Sequence, residues 1–300
     1  MNFGVRTTDD EARAIVEFGL SHGLNWFDTA NVYGDGAAEE ILGRLLEGRR
    51  DQVVIASKVG FRGLEAGPEG LSANVIDQAI SASLKRLRTD HLDICYLHVP
   101  DPQTPLAETV AAMGRAIERG QTLHWAVSNH ASWQIMALDN VCDELGVVRP
   151  IISQVVYNVL VRQVELEYLR FATFRGIATL AYNPLAGGLL TGQHLRRERP
   201  AEGSRLATNE RYRRRYWSAR LCELRDEFAT KAEAFGMSVT ELAYRWLAHR
   251  EIQSVIAGPR VVDHLSDAWR FVQEALPPAL LTEVDEISAT HTGTALSYAR

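Results

Sequence analysis

Leu24-Asn25-Trp26-Phe27-Asp28-Thr29-Ala30-Asn31-Val32-Tyr33-Gly34 is the stretch from which the rest of the chain is read. An apolar run ends there on a carboxylate, and a tyrosine stands beside a glycine a few positions later. A carboxylate that closes a buried strand is costly unless something positive meets it. A tyrosine can hand a proton to a developing alkoxide when a neighbouring charge lowers its pKa from about 10. The stretch therefore asks for a cation, and lysine is scarce: only Lys58, Lys85 and Lys231 occur, against many arginines. Lys58 closes the apolar run Val53-Val54-Ile55-Ala56-Ser57, so its ammonium also needs an anion, and Asp28 at the end of the preceding strand can provide it.

Outward from these residues the chain alternates. Thr8-Asp9-Asp10-Glu11 reads as a capping box that opens a helix carrying Ala12, Ile15, Val16 and Leu20, stopped by Gly23. Strand 24–28 follows, then a helix with Ile41, Leu42, Leu45 and Leu46, then strand 53–58. Ser72 caps the next helix, strand 92–98 ends in His98, and Thr104-Pro105 opens a helix that runs to Gly120. Strand 123–128 ends in Ser128-Asn129, and helix 132–145 leads to Ile151-Ile152-Ser153-Gln154. Helix 162–174 feeds Ile177 to Tyr182, and the long segment 183–216, rich in glycine and proline, reads as irregular. Helices 218–235 and 239–249, strand 253–257 and two closing helices complete the pattern.

Strands that alternate with helices over short connections mean a parallel sheet covered by helices. The polar residues choose between a barrel and an open sheet. Asp28, Lys58, His98, Ser128, Gln154, Tyr182 and Gly258 stand at or just past successive strand ends. In a barrel those ends converge on one mouth, whereas along an open sheet they could not all reach one substrate. The chain thus reads as one α/β barrel domain over residues 1–300. A barrel of this kind has eight strands, and the sequence supplies seven after an opening helix.

Composition is ordinary for a globular chain that can bury a large core, at 46% apolar and 23% charged residues. A formal charge of −6 argues against a nucleic-acid partner. The arginines and aromatics of 194–217, Tyr212, Tyr216 and Trp217 among them, read instead as a lid or a solvated loop. Cys95, Cys142 and Cys222 form no metal or disulfide spacing, which points to a reducing cytoplasm, and no apolar run is long enough to span a membrane. No HxxEH or Cys/His spacing implies a metal.

Taken singly, the polar residues have plain readings. Asp28 could be a cap or turn former, Tyr33-Gly34 a turn, and His98 a loop histidine before Pro100. Taken together, Asp28, Tyr33, Lys58 and His98 make a tuned general acid over a carbonyl: Lys58 charges the surroundings of Tyr33, Asp28 holds Lys58, and His98 orients the oxygen. Only a reductant is lacking.

The same residues lie in motifs that resemble the aldo-keto reductase family. They are Phe27-Asp28-Thr29-Ala30 with Tyr33-Gly34, Ser57-Lys58, Leu97-His98-Val99-Pro100-Asp101 and Val127-Ser128-Asn129. Gln154 with Tyr157-Asn158, and Tyr182-Asn183-Pro184-Leu185 with Gly188-Leu189-Leu190-Thr191-Gly192, continue the series in order and spacing over nearly the whole chain. The resemblance implies a TIM (β/α)8 barrel and an oxidoreductase that passes hydride between NADPH, with NADH as the alternative, and a small-molecule carbonyl or alcohol. It implies the catalytic set Asp28, Tyr33, Lys58 and His98, and carboxamide binding by Ser128, Asn129 and Gln154. Tyr182 would stack on the nicotinamide, Asn183, Leu185 and Gly187 would line the cofactor, and Gly258 and Arg260 would hold the 2′-phosphate at a helix start. Arg260 reads equally as a solvated helix cap.

Two departures from the family pattern carry expectations. Where relatives often show Gln, an acidic residue and Asn along the last cofactor helix, this chain has His264, Asp267 and Ala268, which weakens the adenine contacts. At the amino end the family's hairpin and most or all of its first barrel strand have no counterpart before Asn2-Phe3-Gly4, so an open barrel between strands 24–28 and 253–257 is expected. An accessory protein with slow turnover, as in voltage-gated potassium channel β-subunits, is the alternative function. A homo-oligomer is compatible with either. Trp26, Phe61, Trp133 and the tail around Tyr298 are candidates to line the substrate pocket.

Overall fold

A computed structural model describes residues 2–61 and 69–292, so Tyr298 lies outside the described residues. The chain divides into two compact units. The first comprises Met1–Val155, Phe171–Thr179 and Gly258–Leu265, and the second Val156–Arg170, Leu180–Ala257 and Ser266–Arg300.

In the first unit α1 (Asp9–Ser21) opens on the expected capping box, with the Glu11 N–H donating to the Thr8 hydroxyl and the Thr8 N–H to the Glu11 carboxylate at 2.8 Å. Then follow β1 (Trp26–Asp28), α2 (Ala37–Leu45), β2 (Val54–Val59), α3 (Ala73–Leu87), β3 (Leu92–Leu97) and α4 (Leu106–Glu118). β4 (Thr122–Ser128), α5 (Ser132–Leu145) and β5 (Ile152–Val156) continue the alternation. After α6 (Tyr168–Arg175), β6 (Ala178–Tyr182) comes in beside β5, where the Ala178 N–H donates to the Ile151 carbonyl at 3.1 Å. β2 and β3 are buried almost throughout, which is what a parallel strand covered on both faces requires.

The second unit continues β6 and pairs it with β7 (Ser254–Val255), Leu180 opposite Ser254 and Ala181 opposite Val255. Its helices are α7 (Arg205–Thr208), α8 (Glu210–Tyr216), α9 (Ala219–Ala234), α10 (Val239–Ala248), α11 (Val262–Val272) from Ser266 onward, and α12 (Pro278–Thr292). One packing centre is buried Trp246, whose ring carries the guanidinium groups of Arg162 at 4.9 Å and Arg250 at 4.1 Å, both bound to Asp285. Desolvated cation–π contacts of this kind are worth roughly 2 kcal/mol.

The strand order is β1-β2-β3-β4-β5-β6-β7, an α/β fold whose parallel strands follow the chain. Register carries the functional information. Asp28 lies opposite Ala56 and Lys58 opposite Tyr96, so from β1 to β2 and from β2 to β3 the polar residue moves two positions further along, whereas Ser128 lies level with Gln154. Such stagger accompanies the strand tilt of a barrel, and the topology is that of a TIM-like barrel.

Several boundaries differ from the sequence expectation. β2 runs one residue past Lys58, β1 begins only at Trp26, and β7 is two residues long. The segment 183–216 is not simply irregular. Ser204 and Asn209 accept hydrogen bonds from Ala207 and Tyr212 N–H groups, both at 3.2 Å, and so open α7 and α8 within a stretch whose glycines and prolines suggested only loop. α6 starts six residues late because 163–165 forms a short 3₁₀ turn first. Ser72 stands at the start of α3, but its side chain makes no capping bond. The Leu71 and Ala73 N–H groups there go to the carboxylates of Asp101 at 2.8 Å and Glu108 at 2.9 Å. Thr104 likewise gives its hydroxyl to Asp101, and α4 begins after Pro105 rather than on it.

Ahead of α1, residues 2–7 form a tight turn in which the Asn2 carbonyl accepts from the N–H groups of Val5, Arg6 and Thr7. The Asn2 side-chain amide donates to the carbonyls of Gly258 at 2.9 Å and Pro259 at 2.8 Å, and the Thr7 hydroxyl to that of Arg260 at 2.9 Å. The opening turn thus holds the loop that leads into α11.

Candidate active site

Asp28 and Lys58 form a buried ion pair at the carboxyl ends of β1 and β2. The Lys58 side chain is wholly buried and that of Asp28 is 8% exposed. Strand alternation turns Ile55 and Ser57 to one face of β2 and Lys58 to the other. The ammonium donates to the Asp28 carboxylate and, at 2.7 Å, to the Thr29 carbonyl. The other Asp28 oxygen accepts from the Gln154 side-chain amide at 2.8 Å. Buried charge is thus met by an opposite charge and by further hydrogen bonds, the condition under which burying it is tolerable.

Tyr33 reaches this pair from the turn that links β1 to α2. Its N–H donates to the Ala30 carbonyl at 3.1 Å, its own carbonyl accepts from Ala38 at 3.2 Å, and Gly34, Asp35 and Gly36 all take left-handed backbone. The turn brings the Tyr33 ring to 5.1 Å from the Lys58 nitrogen, measured to the ring centre. The His98 ring stands edge-on to Tyr33 with centres 5.9 Å apart, and Phe61 stands edge-on to His98 at 5.3 Å. All four residues of the expected catalytic set therefore gather in the first unit. Phe61, named from sequence as a pocket candidate, lies beside them. Trp26 is 40% exposed and Trp133 72% exposed.

The backbone of His98 and the loop after it are fixed by hydrogen bonds. Asp101, three residues on, accepts from the Leu71 N–H, the Gln103 N–H and the Thr104 hydroxyl. Burial works against that charge, yet these bonds hold the carboxyl below its usual pKa. The His98 carbonyl accepts from the Asn129 amide at 2.9 Å.

Ser128, Asn129 and Gln154 form one network at the end of β4 and the middle of β5, which runs two residues past Gln154 instead of closing on it. The Ser128 hydroxyl donates to the Gln154 carbonyl at 3.0 Å, the Asn129 N–H donates to the same carbonyl at 3.2 Å, and the Asn129 amide reaches the Ser128 hydroxyl at 3.0 Å. Asn129 sits in left-handed backbone at φ 61°, a conformation asparagine tolerates better than most residues. His130 follows, buried, with Nδ1 against the Ser128 carbonyl at 2.9 Å. Burial pushes its pKa down to about 4, so the imidazole is neutral and donates.

The remaining expected cofactor residues fall in two places. Gly258 and Arg260 lie in the first unit on the loop held by Asn2 and Thr7, where the Glu11 carboxylate acts electrostatically on Arg260. Tyr182, Asn183, Leu185 and Gly187 belong to the second unit. There Asn183, at φ 59°, accepts from the Asn158 amide at 2.9 Å and donates to the Tyr216 hydroxyl at 3.1 Å. Leu185 packs on the buried group of Tyr244, Ala268 and Phe271. The expected adenine position, Ala268, is thus a core residue of that unit. Burial raises the Tyr182 pKa, with Arg215 working against the shift.

Three participants escaped the sequence reading. The Thr29 carbonyl binds Lys58, the Gln154 amide binds Asp28 from 126 residues away, and the Tyr96 ring lies 5.5 Å from the Lys58 nitrogen. Burial first, and Asp28 second, push the Tyr96 phenol far above its ordinary pKa, so it stays neutral. Tyr96 was findable: it stands two residues before His98 on one strand, hence on the same face. Among the described residues no group of three or more His, Cys, Asp and Glu side chains could hold a metal ion. No described helix is long and apolar enough to cross a membrane.

Comparison with known proteins gives a consistent picture. The model of the Aldo/keto reductase family matches residues 1–289. A probable voltage-gated potassium channel subunit beta of Arabidopsis thaliana is 34% identical over 96% of this chain and 90% of its own length. Aflatoxin B1 aldehyde reductase member 2 of Rattus norvegicus is 33% identical over 91% of this chain and 77% of its own. The uncharacterized oxidoreductase YrpG of Bacillus subtilis (strain 168) is 31% identical over 96% and 90%.

Proposed function

Because the chain belongs to the aldo/keto reductase family, whose members are oxidoreductases, we propose that it reduces a small aldehyde or ketone with NADPH. The reverse oxidation of an alcohol or sugar is the same chemistry run backwards. The observation that carries this reading is the wholly buried Lys58 ammonium, bound to Asp28 and 5.1 Å from the centre of the Tyr33 ring. An ammonium in that position has no use in packing. It favours the charged form of the phenol and so makes Tyr33 a better proton donor.

The donor set fits a nicotinamide cofactor. Ser128, Asn129 and Gln154 combine a hydroxyl with two carboxamides, the groups that match another carboxamide. Gly258 and Arg260 at the approach to α11 suit a phosphate, which favours NADPH over NADH. Tyr182 offers a face for a ring, and Asn183, Leu185 and Gly187 follow it in the same loop. Bound there, the nicotinamide supplies the hydride. Everything else falls to the chain. His98 orients the carbonyl oxygen, Tyr33 delivers its phenolic proton to that oxygen as the carbon becomes tetrahedral, and Lys58 stabilises the phenolate left behind. Asp28 balances the charge of Lys58 and aims it, and Phe61 shields His98 from water.

In this reading residues 1–300 work as one catalytic domain of TIM-barrel type. The free thiols Cys95, Cys142 and Cys222 suit the cytoplasm. The test is NADPH consumption with a nitrobenzaldehyde, wild type against Tyr33→Phe. Loss of a general acid should cost roughly 10²–10⁴-fold. A second reading, a catalytically weak NADP(H)-binding accessory protein, draws on the relatives named as potassium channel β-subunits. Equal background rates in both proteins would favour it.

A further inference from the structure

Behind the Asp28–Lys58 pair, on the outer face of β2, lies a second buried carboxylate that the proposed mechanism does not use. Glu39 stands in the first turn of α2 and is completely buried. It accepts from the Ser57 hydroxyl with one oxygen and from Arg86 Nε at 2.6 Å with the other. Ser57 is also completely buried and immediately precedes Lys58. The backbone is shaped around this contact. A Cβ at Gly36 would lie 2.8 Å from Arg86 Cδ and 3.0 Å from its Nε, and a Cβ at Gly43 would lie 2.6 Å from the Arg86 carbonyl oxygen. Two side chains are absent where either would block the approach of Arg86 and α3 to α2.

The contact closes a short mechanical path. The Tyr33 carbonyl is tied to the first turn of α2 through the Ala38 N–H at 3.2 Å. Glu39, the next residue, ties that turn to Ser57, and Ser57 is joined by one peptide bond to Lys58. The side chains of Ser57 and Lys58 point to opposite faces of the strand, so Glu39 touches no reacting atom. We infer that Glu39, anchored by Arg86 and acting through Ser57, is a positioning residue that sets the separation of the Tyr33 ring from the Lys58 ammonium. A purely structural ion pair would need neither the hydroxyl of Ser57 nor any registration with the Tyr33 turn. The inference rests on the reading of Tyr33 as proton donor and assigns that donor its ruler.

Three variants test it: Ser57→Ala, Ser57→Thr and Glu39→Gln. Ser57→Ala removes the hydroxyl link and leaves the Glu39–Arg86 pair whole, so it decides the question even if Glu39→Gln fails to fold. Misplacement of reacting groups by a fraction of an ångström should lower kcat by about ten- to a hundredfold. The aldehyde KM and the NADPH dissociation constant should stay within about twofold of wild type, since nothing that binds directly is removed. Ser57→Thr, which keeps the hydroxyl, should recover most of kcat. A readout free of turnover is the phenol absorbance titration assigned to Tyr33 by difference from Tyr33→Phe. In Ser57→Ala it should move to higher pH as the ammonium is displaced. A wild type without NADPH-dependent turnover would sink the reductase reading, while the phenol titration would still judge the ruler. Folded Ser57→Ala with wild-type kcat and an unmoved titration would overturn the inference. So would a loss of activity that merely tracks the loss of folded protein.

Discussion

Replacing Asp28 by asparagine strands the ammonium of Lys58. In the native site that nitrogen meets the Asp28 carboxylate, the Thr29 carbonyl at 2.7 Å and the rings of Tyr33 and Tyr96 at 5.1 and 5.5 Å. In Asp28→Asn the one carboxamide oxygen can still accept from the Gln154 amide, but the NH2 group then faces the ammonium donor to donor, so Lys58 loses both its counter-charge and an acceptor. Breaking a buried pair by removing one partner costs roughly 3–5 kcal/mol. The carbonyl and the two ring faces remain, which favours the lower end, about 3 kcal/mol. The double variant Asp28→Asn with Lys58→Met removes the stranded charge as well and should cost only about 1 kcal/mol. The assay is urea denaturation followed by circular dichroism, with the slope checked for constancy. The expected order of stability is wild type, double variant, then Asp28→Asn, with Lys58→Met also below the double. Single-variant losses that simply add in the double variant would show that the two side chains share no energy, and would refute the reasoning.

Acid should weaken the protein through His130. Burial holds its folded pKa at about 4 against an ordinary 6.5, so between those values the unfolded chain takes up a proton that the folded chain refuses. Stability is therefore present above the higher value and is lost as pH falls, by about 2 kcal/mol between pH 7 and pH 5. His130→Asn, which keeps a donor to the Ser128 carbonyl, should flatten that slope in urea titrations at the two pH values. Gly43→Ala gains about 1 kcal/mol of helix propensity. Its Cβ would lie 2.6 Å from the Arg86 carbonyl oxygen and 2.7 Å from that of Leu87. Overpacking against backbone costs roughly 1–3 kcal/mol, so the midpoint should fall, not rise. His98→Ala should lower kcat by roughly 10²-fold while the NADPH dissociation constant holds, a split that fluorescence titration and stopped flow can resolve.

The alternation of helix and strand was legible because apolar spacing reports burial directly, as at Ile76 and Ile80 on α3, although Leu84 in the same row is only partly buried. It faltered at α7 and α8, where Ser204 and Asn209 are capping residues placed among glycine and proline. At the last strand the apolar run 253–257 announces the element but not its length, since β7 spans only Ser254–Val255, paired with Leu180 and Ala181 of β6. In the site, Lys58 stood out because lysine is rare in this chain and a buried ammonium demands an anion. Two contacts could not be read. The bond from Gln154 to Asp28 joins residues 126 apart, and the bond from Ser57 to Glu39 depends on how closely α2 approaches β2. That approach is set by three-dimensional packing around Arg86, and only Gly36 and Gly43 hint at it.

The most direct measurement is the pH dependence of kcat for carbonyl reduction by wild type and by the Asp28→Asn, Lys58→Met double variant, which keeps Tyr33. If the ammonium tunes the phenol, the wild-type rate declines at high pH as Tyr33 loses its proton. In the double variant the decline moves to higher pH and the plateau drops by roughly 10²-fold. Superimposable profiles would mean that Lys58 does not act on Tyr33, and the account of the site would be wrong.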